Sequence, residues 1–250
     1  MIPETHVDFR GVSFITFARN EADDLILTLE CLRELGNRLD YPIEVVAIND
    51  GSTDETQIRL GSYFNSGVNP YLIGVINQPP LGISFAISEG LKHVIHAKCI
   101  PIPGHYMFDY NGLKNLVQRA YSAEVVVGYR DNLRKERPIG KYLAAKVLKI
   151  LFYFSISKKV VDPHGLIVYP TYLLREVINS NMEHENHIRA LSFALARGLS
   201  IENIPIPIRS GHKLRSKEKG RPSAPRLVHL KAGLRELYIA RKYFSLKSKD

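Results

Sequence analysis

Short apolar runs rich in β-forming residues alternate with helix-like stretches through the first half of the chain, and no other feature restricts the fold as much. Residues 12–17, 44–48, 71–77, 99–103 and 124–128 read as buried strands. Residues 22–36, 54–64, 83–95 and 112–121 read as helices, the second with Thr53 or Asp54 as N-cap. Alternation of this kind predicts an α/β fold, a mostly parallel sheet with helices on both faces. Ligands of such sheets sit outside the carboxyl ends of the strands, so the residues after each strand are the functional candidates.

The second half is less regular. Residues 141–154 predict a nearly all-apolar helix with Lys141, Lys146 and Lys149 as its polar positions. Residues 165–169 predict a strand, and 188–197 a helix stopped by Gly198. Residues 201–208 predict an edge strand, because Pro205 and Pro207 cannot donate to a ladder. A basic stretch at 209–221 reads as mobile, and 227–244 as an amphipathic helix with Leu227, Leu230, Leu234 and Leu237 on one face. The expected organisation is one domain over residues 1–217, followed by a basic linker and helix over 218–250.

A net charge of +9 implies an anionic partner: a nucleoside diphosphate, a lipid phosphate or an anionic membrane surface. No basic-aromatic recognition motif supports nucleic acid. No Gly-x-Gly-x-x-Gly follows the first strand, which argues against a dinucleotide-dependent oxidoreductase. Cys31 and Cys99 form no metal or redox pair and read as reduced core residues. Together with the lack of a signal-peptide pattern, they point to the cytoplasm. The longest apolar run, 147–156, is broken by Lys149 and falls short of the roughly 20 residues a spanning helix needs.

The second strand stops at Ile48-Asn49-Asp50-Gly51-Ser52-Thr53-Asp54. A carboxylate at a strand end can accept hydrogen bonds from a base or ribose, and Gly51 permits close backbone approach. A capped turn ahead of a helix uses the same residues. Taken with the first strand and its turn, Phe17-Ala18-Arg19-Asn20-Glu21, the segment resembles the opening of the family 2 glycosyltransferases of the GT-A fold. Leu81-Gly82-Ile83-Ser84-Phe85-Ala86 is similar to that family's Gly-x-Gly-x-Ala helix start, with Ser84 for the second glycine. The resemblance implies a nucleotide pocket lined by Phe17, Ala18, Arg19, Glu21, Asp50, Gly51, Ser52 and Gly82, with Asp50 on the base. The donor would be a UDP- or GDP-sugar, and the acceptor a lipid phosphate or a small molecule.

The family places an Asp-x-Asp type motif after the fourth strand, where its carboxylates bind Mg²⁺ or Mn²⁺ against the donor diphosphate. This chain reads Pro101-Ile102-Pro103-Gly104-His105-Tyr106-Met107-Phe108-Asp109 there. Three readings stand open: His105 ligates a transition metal, cationic side chains replace the metal, or the site is inactive and keeps only nucleotide or partner binding. Asp109 is a nearby candidate carboxylate at a different spacing, or a helix cap.

Gly128-Tyr129-Arg130, followed by Arg137 and Lys141, resembles the polyprenyl-phosphate (dolichyl-phosphate) branch of the family, which implies that these cations hold an acceptor lipid phosphate. Asp162-Pro163-His164-Gly165 is similar to the branch's Asp-Pro-x-x-Gly segment, one residue shorter. It implies Asp162 at the reaction centre, with His164 as base, metal ligand or turn residue. Arg189 stands where many relatives have a glutamate, and Glu183 and Glu185 lie nearby. Arg209, Lys213 or Arg215 could reach the diphosphate from a closing loop. The apolar helix at 141–154 and the C-terminal helix are expected on the inner membrane face, against the core or in a homodimer contact.

Overall fold

The computed structural model describes residues 11–39, 41–155, 157, 159–180 and 186–211, together with 234, 235, 238 and 241. Its strands are β1 Val12–Ala18, β2 Ile43–Asp50, β3 Leu72–Gln78, β4 Lys98–Pro103, β5 Val125–Tyr129, β6 Leu166–Pro170 and β7 Ile201–Pro205. They form one sheet in the order β3-β2-β1-β4-β6-β5-β7. β1 lies parallel to β2 and β4, β2 to β3, and β5 to β7, whereas β6 runs antiparallel to β4 and β5.

The strands read as apolar throughout because both faces of the sheet are covered. Val12, Phe14 and Ala18 of β1 enter one core while Ile15 enters the other; in β2, Ile43, Val45 and Ala47 oppose Val46 and Ile48. The first core takes Leu25, Leu29 and Leu32 from α1 (Ala22–Arg38), Leu60 from α2 (Thr56–Asn65) and Leu113 and Leu116 from the helix Tyr110–Gln118. The second takes Ala86 and Ile87 from α3 (Ile83–Leu91), and further side chains from three helices of the second half. With Tyr110–Gln118 as α4, those are α6 (Ile139–Ser155), α7 (Thr171–Ser180) and α8 (Asn186–Ala196), and a short α5 (Leu133–Glu136) precedes them. Phe152 anchors α6 with no exposed surface, a burial that stabilises by about 1.5–3 kcal/mol.

Several boundaries differ from the sequence expectation. α3 stops at Leu91 rather than 95, because the chain must turn for the Ile95 N–H to reach Glu44 Oε1 (2.6 Å) and the His96 N–H to reach Ser13 Oγ (3.3 Å). α2 begins at Thr56 behind Glu55, and Asp54 serves it from one residue further out by accepting the Thr56 N–H (2.9 Å). β7 ends at Pro205 and lies at the sheet edge. The helices α5 and α7 were not anticipated. α7 follows β6 without a linker, its entry tied by the Thr171 N–H to Ala97 O (2.8 Å) and Thr171 Oγ1 to His96 O (2.7 Å), contacts that local sequence does not announce. The expected boundary at 217, Glu183 and Glu185, and the 227–244 helix apart from its four described positions lie outside the described residues.

Candidate functional site

β1 has β2 on one side and β4 on the other, so the connection leaving β1 runs to one side while the chain crosses from β3 back to β4 on the other, and a crevice opens between β1 and β4 at their carboxyl ends. The turns leaving β1 and β2 are stapled together there. Asn20, in a left-handed conformation (φ 55°) that asparagine tolerates, accepts the Thr53 N–H on Oδ1 (2.8 Å) and donates its own N–H to Ser52 Oγ (3.0 Å). The Glu21 N–H donates to Thr56 Oγ1 (3.1 Å).

Gly51 is required by this geometry. Its φ is +65°, and a Cβ there would lie 2.6 Å from Pro80 N. Gly51→Ala is therefore expected to cost at least about 1–2 kcal/mol from the left-handed backbone alone, measured by urea denaturation, with nucleotide affinity falling alongside.

Phe17, Ala18, Arg19, Glu21 and Asp50 meet Ile83, Ala86, Pro103, Gly104 and His105 around a cavity of about 210 Å³. Asp50 is buried, and its Oδ1 accepts Gln78 Nε2 (2.7 Å), Leu81 N–H (2.9 Å) and Gly82 N–H (3.1 Å); Oδ2 shares only the Gly82 N–H (3.1 Å). Asp50 thus ties the strap before α3 to β2 and keeps acceptor capacity on Oδ2. Gly51 and Ser52 shape the turn behind this cavity.

Phe17, Ile83, Pro103 and His105 also line a second cavity of about 250 Å³, which continues past Met107 to His164 and Gly165. His164 at its far end adjoins a charge cluster through its N–H, which donates to Asp162 Oδ1 (3.2 Å). Arg130 donates to Asp162 through Nε (2.8 Å, to Oδ2) and Nη2 (3.0 Å, to Oδ1), and its N–H also reaches Oδ2 (3.3 Å). Burial alone would raise the Asp162 carboxyl. The Arg130 charge and hydrogen bonds, with a smaller effect from His164, reverse this and hold it at about 2. Burial and the charge of Arg130 push His164 down to about 4, opposed by Asp162 and reinforced by Arg137, so its imidazole is neutral at physiological pH. Gly165 is fixed by the same corner, since a Cβ would run into Gly128 O.

The cations expected on phosphate therefore have different fates. Arg130 is spent on Asp162. Arg137 stands next to this pair, with its Nη2 3.7 Å from Met107 Sδ. Lys141 lies on α6. Arg209 stacks on Tyr106, 4.4 Å from the ring centre, and Tyr106 packs on the core shared by α1 and α4. Lys213 and Arg215 lie outside the described residues. Asp109 caps α4 by accepting the Gly112 N–H (2.9 Å).

Arg130 and Asp162 also form the floor of a groove of about 780 Å³ along α6, lined by Tyr129, Tyr142, Ile150 and Phe154 with Arg134, Lys146 and Lys149 at its rim. The ion pair thus stands between the groove, which it lines, and His164, which lines the cavity and bonds Asp162. The groove escaped sequence reading because its residues scatter over 129–162; the lysine spacing on α6 was its only signal.

A hard divalent ion requires a set of oxygen ligands. β4 leads into Gly104 and His105 instead, and among the described residues no group of three His, Cys, Asp or Glu side chains could hold a metal. The donor set does not fit the ion that the resemblance implies.

The model of "Glycosyl transferase family 2" matches residues 13–179. Among solved structures, the chain resembles glucosyl-3-phosphoglycerate synthase from Mycobacterium tuberculosis, crystallised with Mn²⁺, UDP and glucosyl-3-phosphoglycerate. The TM-score is 0.59 at 17% identity, over 94% of this chain and 80% of that one. It also resembles a mannosyltransferase from Pyrobaculum calidifontis in complex with GDP-Man and Mn²⁺, with TM-score 0.59 at 18% identity, over 95% and 72% of the two chains. At this identity the likeness is one of fold. No curated protein matches the sequence.

Proposed function

Because the chain belongs to glycosyl transferase family 2, we propose that it moves a sugar from a UDP- or GDP-sugar to a lipid-phosphate acceptor. The observation that carries this reading is the continuous lining from Phe17 and Asp50 through His105 to His164, at the sheet's switch point and separated from the α6 groove by one ion pair. The nucleoside diphosphate occupies the Asp50 end, and the sugar lies toward His164. The acceptor tail lies on the apolar wall of the groove, with its phosphate near the ion pair.

A phosphate acceptor is already an anion and needs no base; a hydroxyl acceptor would need one. Neutral His164 can take a proton in the second case. The cations at the groove mouth select for negative charge in either case.

The position of α6 supports a peripheral seat on anionic membrane. Ile139, Leu143, Val147, Ile150 and Phe154 follow one another at helical spacing on the side opposite Phe152 and are all exposed, beside Lys146 and Lys149. No helix among the described residues is long and apolar enough to cross a membrane.

The test is a transfer assay with UDP- and GDP-sugars against a polyprenyl phosphate and a phosphorylated small molecule. Nucleoside diphosphate release that depends on the polyprenyl phosphate is expected. Transfer only to the small molecule would remove the lipid acceptor. Nucleotide binding without transfer to any acceptor would instead favour a binding protein.

A further inference from the structure

We infer that Arg137 is the oxyanion-binding group of the His105–His164 cavity, supplying the positive charge there in place of a divalent metal. The inference deepens the donor-site reading above and rests on it for the identity of the ligand.

The first support is a surplus of positive charge in a partly buried place. Two arginines, Arg130 and Arg137, share one carboxylate, Asp162. Both oxygens of that carboxylate are engaged by Arg130. Glu136, next in sequence, accepts the Gly211 N–H (3.1 Å). Among the described residues the Arg137 guanidinium is given only a thioether acceptor, Met107 Sδ. A half-buried cation so poorly served carries a desolvation cost and is stabilised when an anion arrives.

The second support is placement. Met107 and His164, the groups that Arg137 faces, both line the cavity that His105 also lines. Arg137 is held in advance. It closes α5, its N–H bonding Leu133 O (3.1 Å), and the turn before α5 is locked by the reciprocal pair Asn132 Nδ2 to Ile208 O (2.6 Å) and Ile208 N–H to Asn132 Oδ1 (2.7 Å). A group fixed before binding loses little freedom on meeting its ligand.

The third support is the sign of the field. The two guanidinium charges that keep His164 neutral also repel a dication. They attract phosphate oxygens, for which an arginine fork is well shaped. The replacement of a carboxylate by His105 and the surplus arginine are thus two sides of one electrostatic arrangement.

The experiment is calorimetric titration of the full chain with pyrophosphate, UDP, GDP and a short-chain prenyl phosphate, each in EDTA and in Mn²⁺. Wild type, Arg137→Met and Arg137→Lys are compared, with a melting curve for each. Pyrophosphate is expected to bind in EDTA, to weaken about 10- to 100-fold in Arg137→Met and to recover in part in Arg137→Lys. The melting temperature of Arg137→Met should hold or rise, because a half-buried cation without a counter-charge of its own has been removed; a purely structural arginine would lower it. Loss of UDP and GDP binding in the same variant assigns the anion to the donor, whereas loss of the prenyl phosphate alone places Arg137 on the acceptor and overturns its role in place of a metal. Binding that vanishes in EDTA, or affinity unchanged in Arg137→Met, overturns the inference. Pyrophosphate binding without any nucleotide binding would sink the donor reading and leave the anion site standing.

Discussion

Asp162→Ala is expected to lower stability by about 3–5 kcal/mol, enough to unfold much of the population of an ordinary domain. The reason is the state it leaves behind: a buried Arg130 beside a half-buried Arg137, with no carboxylate to balance them. The control is the double variant Asp162→Leu with Arg130→Met, which removes the pair together and should recover most of the loss. Urea denaturation of the three proteins measures both numbers. An Asp162→Ala variant as stable as wild type would show that the pair has no structural role.

The same pair sets an acid limit. The folded carboxyl lies at about 2, against an ordinary value of 3.8. A carboxyl lowered on folding contributes stability that is complete above its unfolded value and is lost as pH falls through its folded one. Asp162 should therefore contribute roughly 2–3 kcal/mol near neutrality, lost between about pH 4 and pH 2. In the double variant, that part of the acid transition should disappear.

The second large effect is expected at Asp50. Asp50→Ala leaves Gln78 Nε2 and the N–H groups of Leu81 and Gly82 without their acceptor. Hydrogen bonds to a charged group are worth about 1.5–3 kcal/mol each, and solvent entering the crevice will recover part of that. A net loss of about 2–4 kcal/mol is expected. Freed from β2, the strap before α3 no longer holds Ile83 and Ala86 against the cavity, so UDP or GDP affinity should fall at least about tenfold. Asp50→Asn separates the two roles. Its carbonyl can replace Oδ1, while its amide would oppose the Gly82 N–H and lose the acceptor left for a ligand. Stability largely kept with affinity lost would identify Oδ2 as the ligand-facing oxygen.

The fold was legible where local pattern and tertiary environment say the same thing. The β1 and β2 segments are apolar at successive positions because both faces of the sheet are buried, and only a sheet covered by helices rewards such runs. The turn at Gly51 was legible because a positive φ beside Pro80 admits little but glycine. α7 was not legible, because its start is set by contacts with Ala97 and His96, more than 70 residues earlier. Of the candidate site, the Phe17-to-Glu21 turn and Asp50 could be placed together from sequence, since adjacent parallel strands bring their carboxyl ends to one edge.

The sequence alone determined that the chain builds a doubly covered sheet and that the Asn49-Asp50-Gly51-Ser52 turn stands at the carboxyl edge of that sheet. It also determined that Gly104 and His105, with no carboxylate before Asp109, follow the fourth strand. The tertiary structure decided what each charged side chain meets. Asp109 proved to be a helix cap, Arg209 a partner of Tyr106, and Arg130 the partner of Asp162, 32 residues away. Secondary structure follows from short-range backbone and burial preferences that a sequence displays. A charge takes its role from the nearest counter-charge in a region of low dielectric, and only the folded chain brings that neighbour within 3 Å of Arg130 while leaving Arg137 with a sulfur atom.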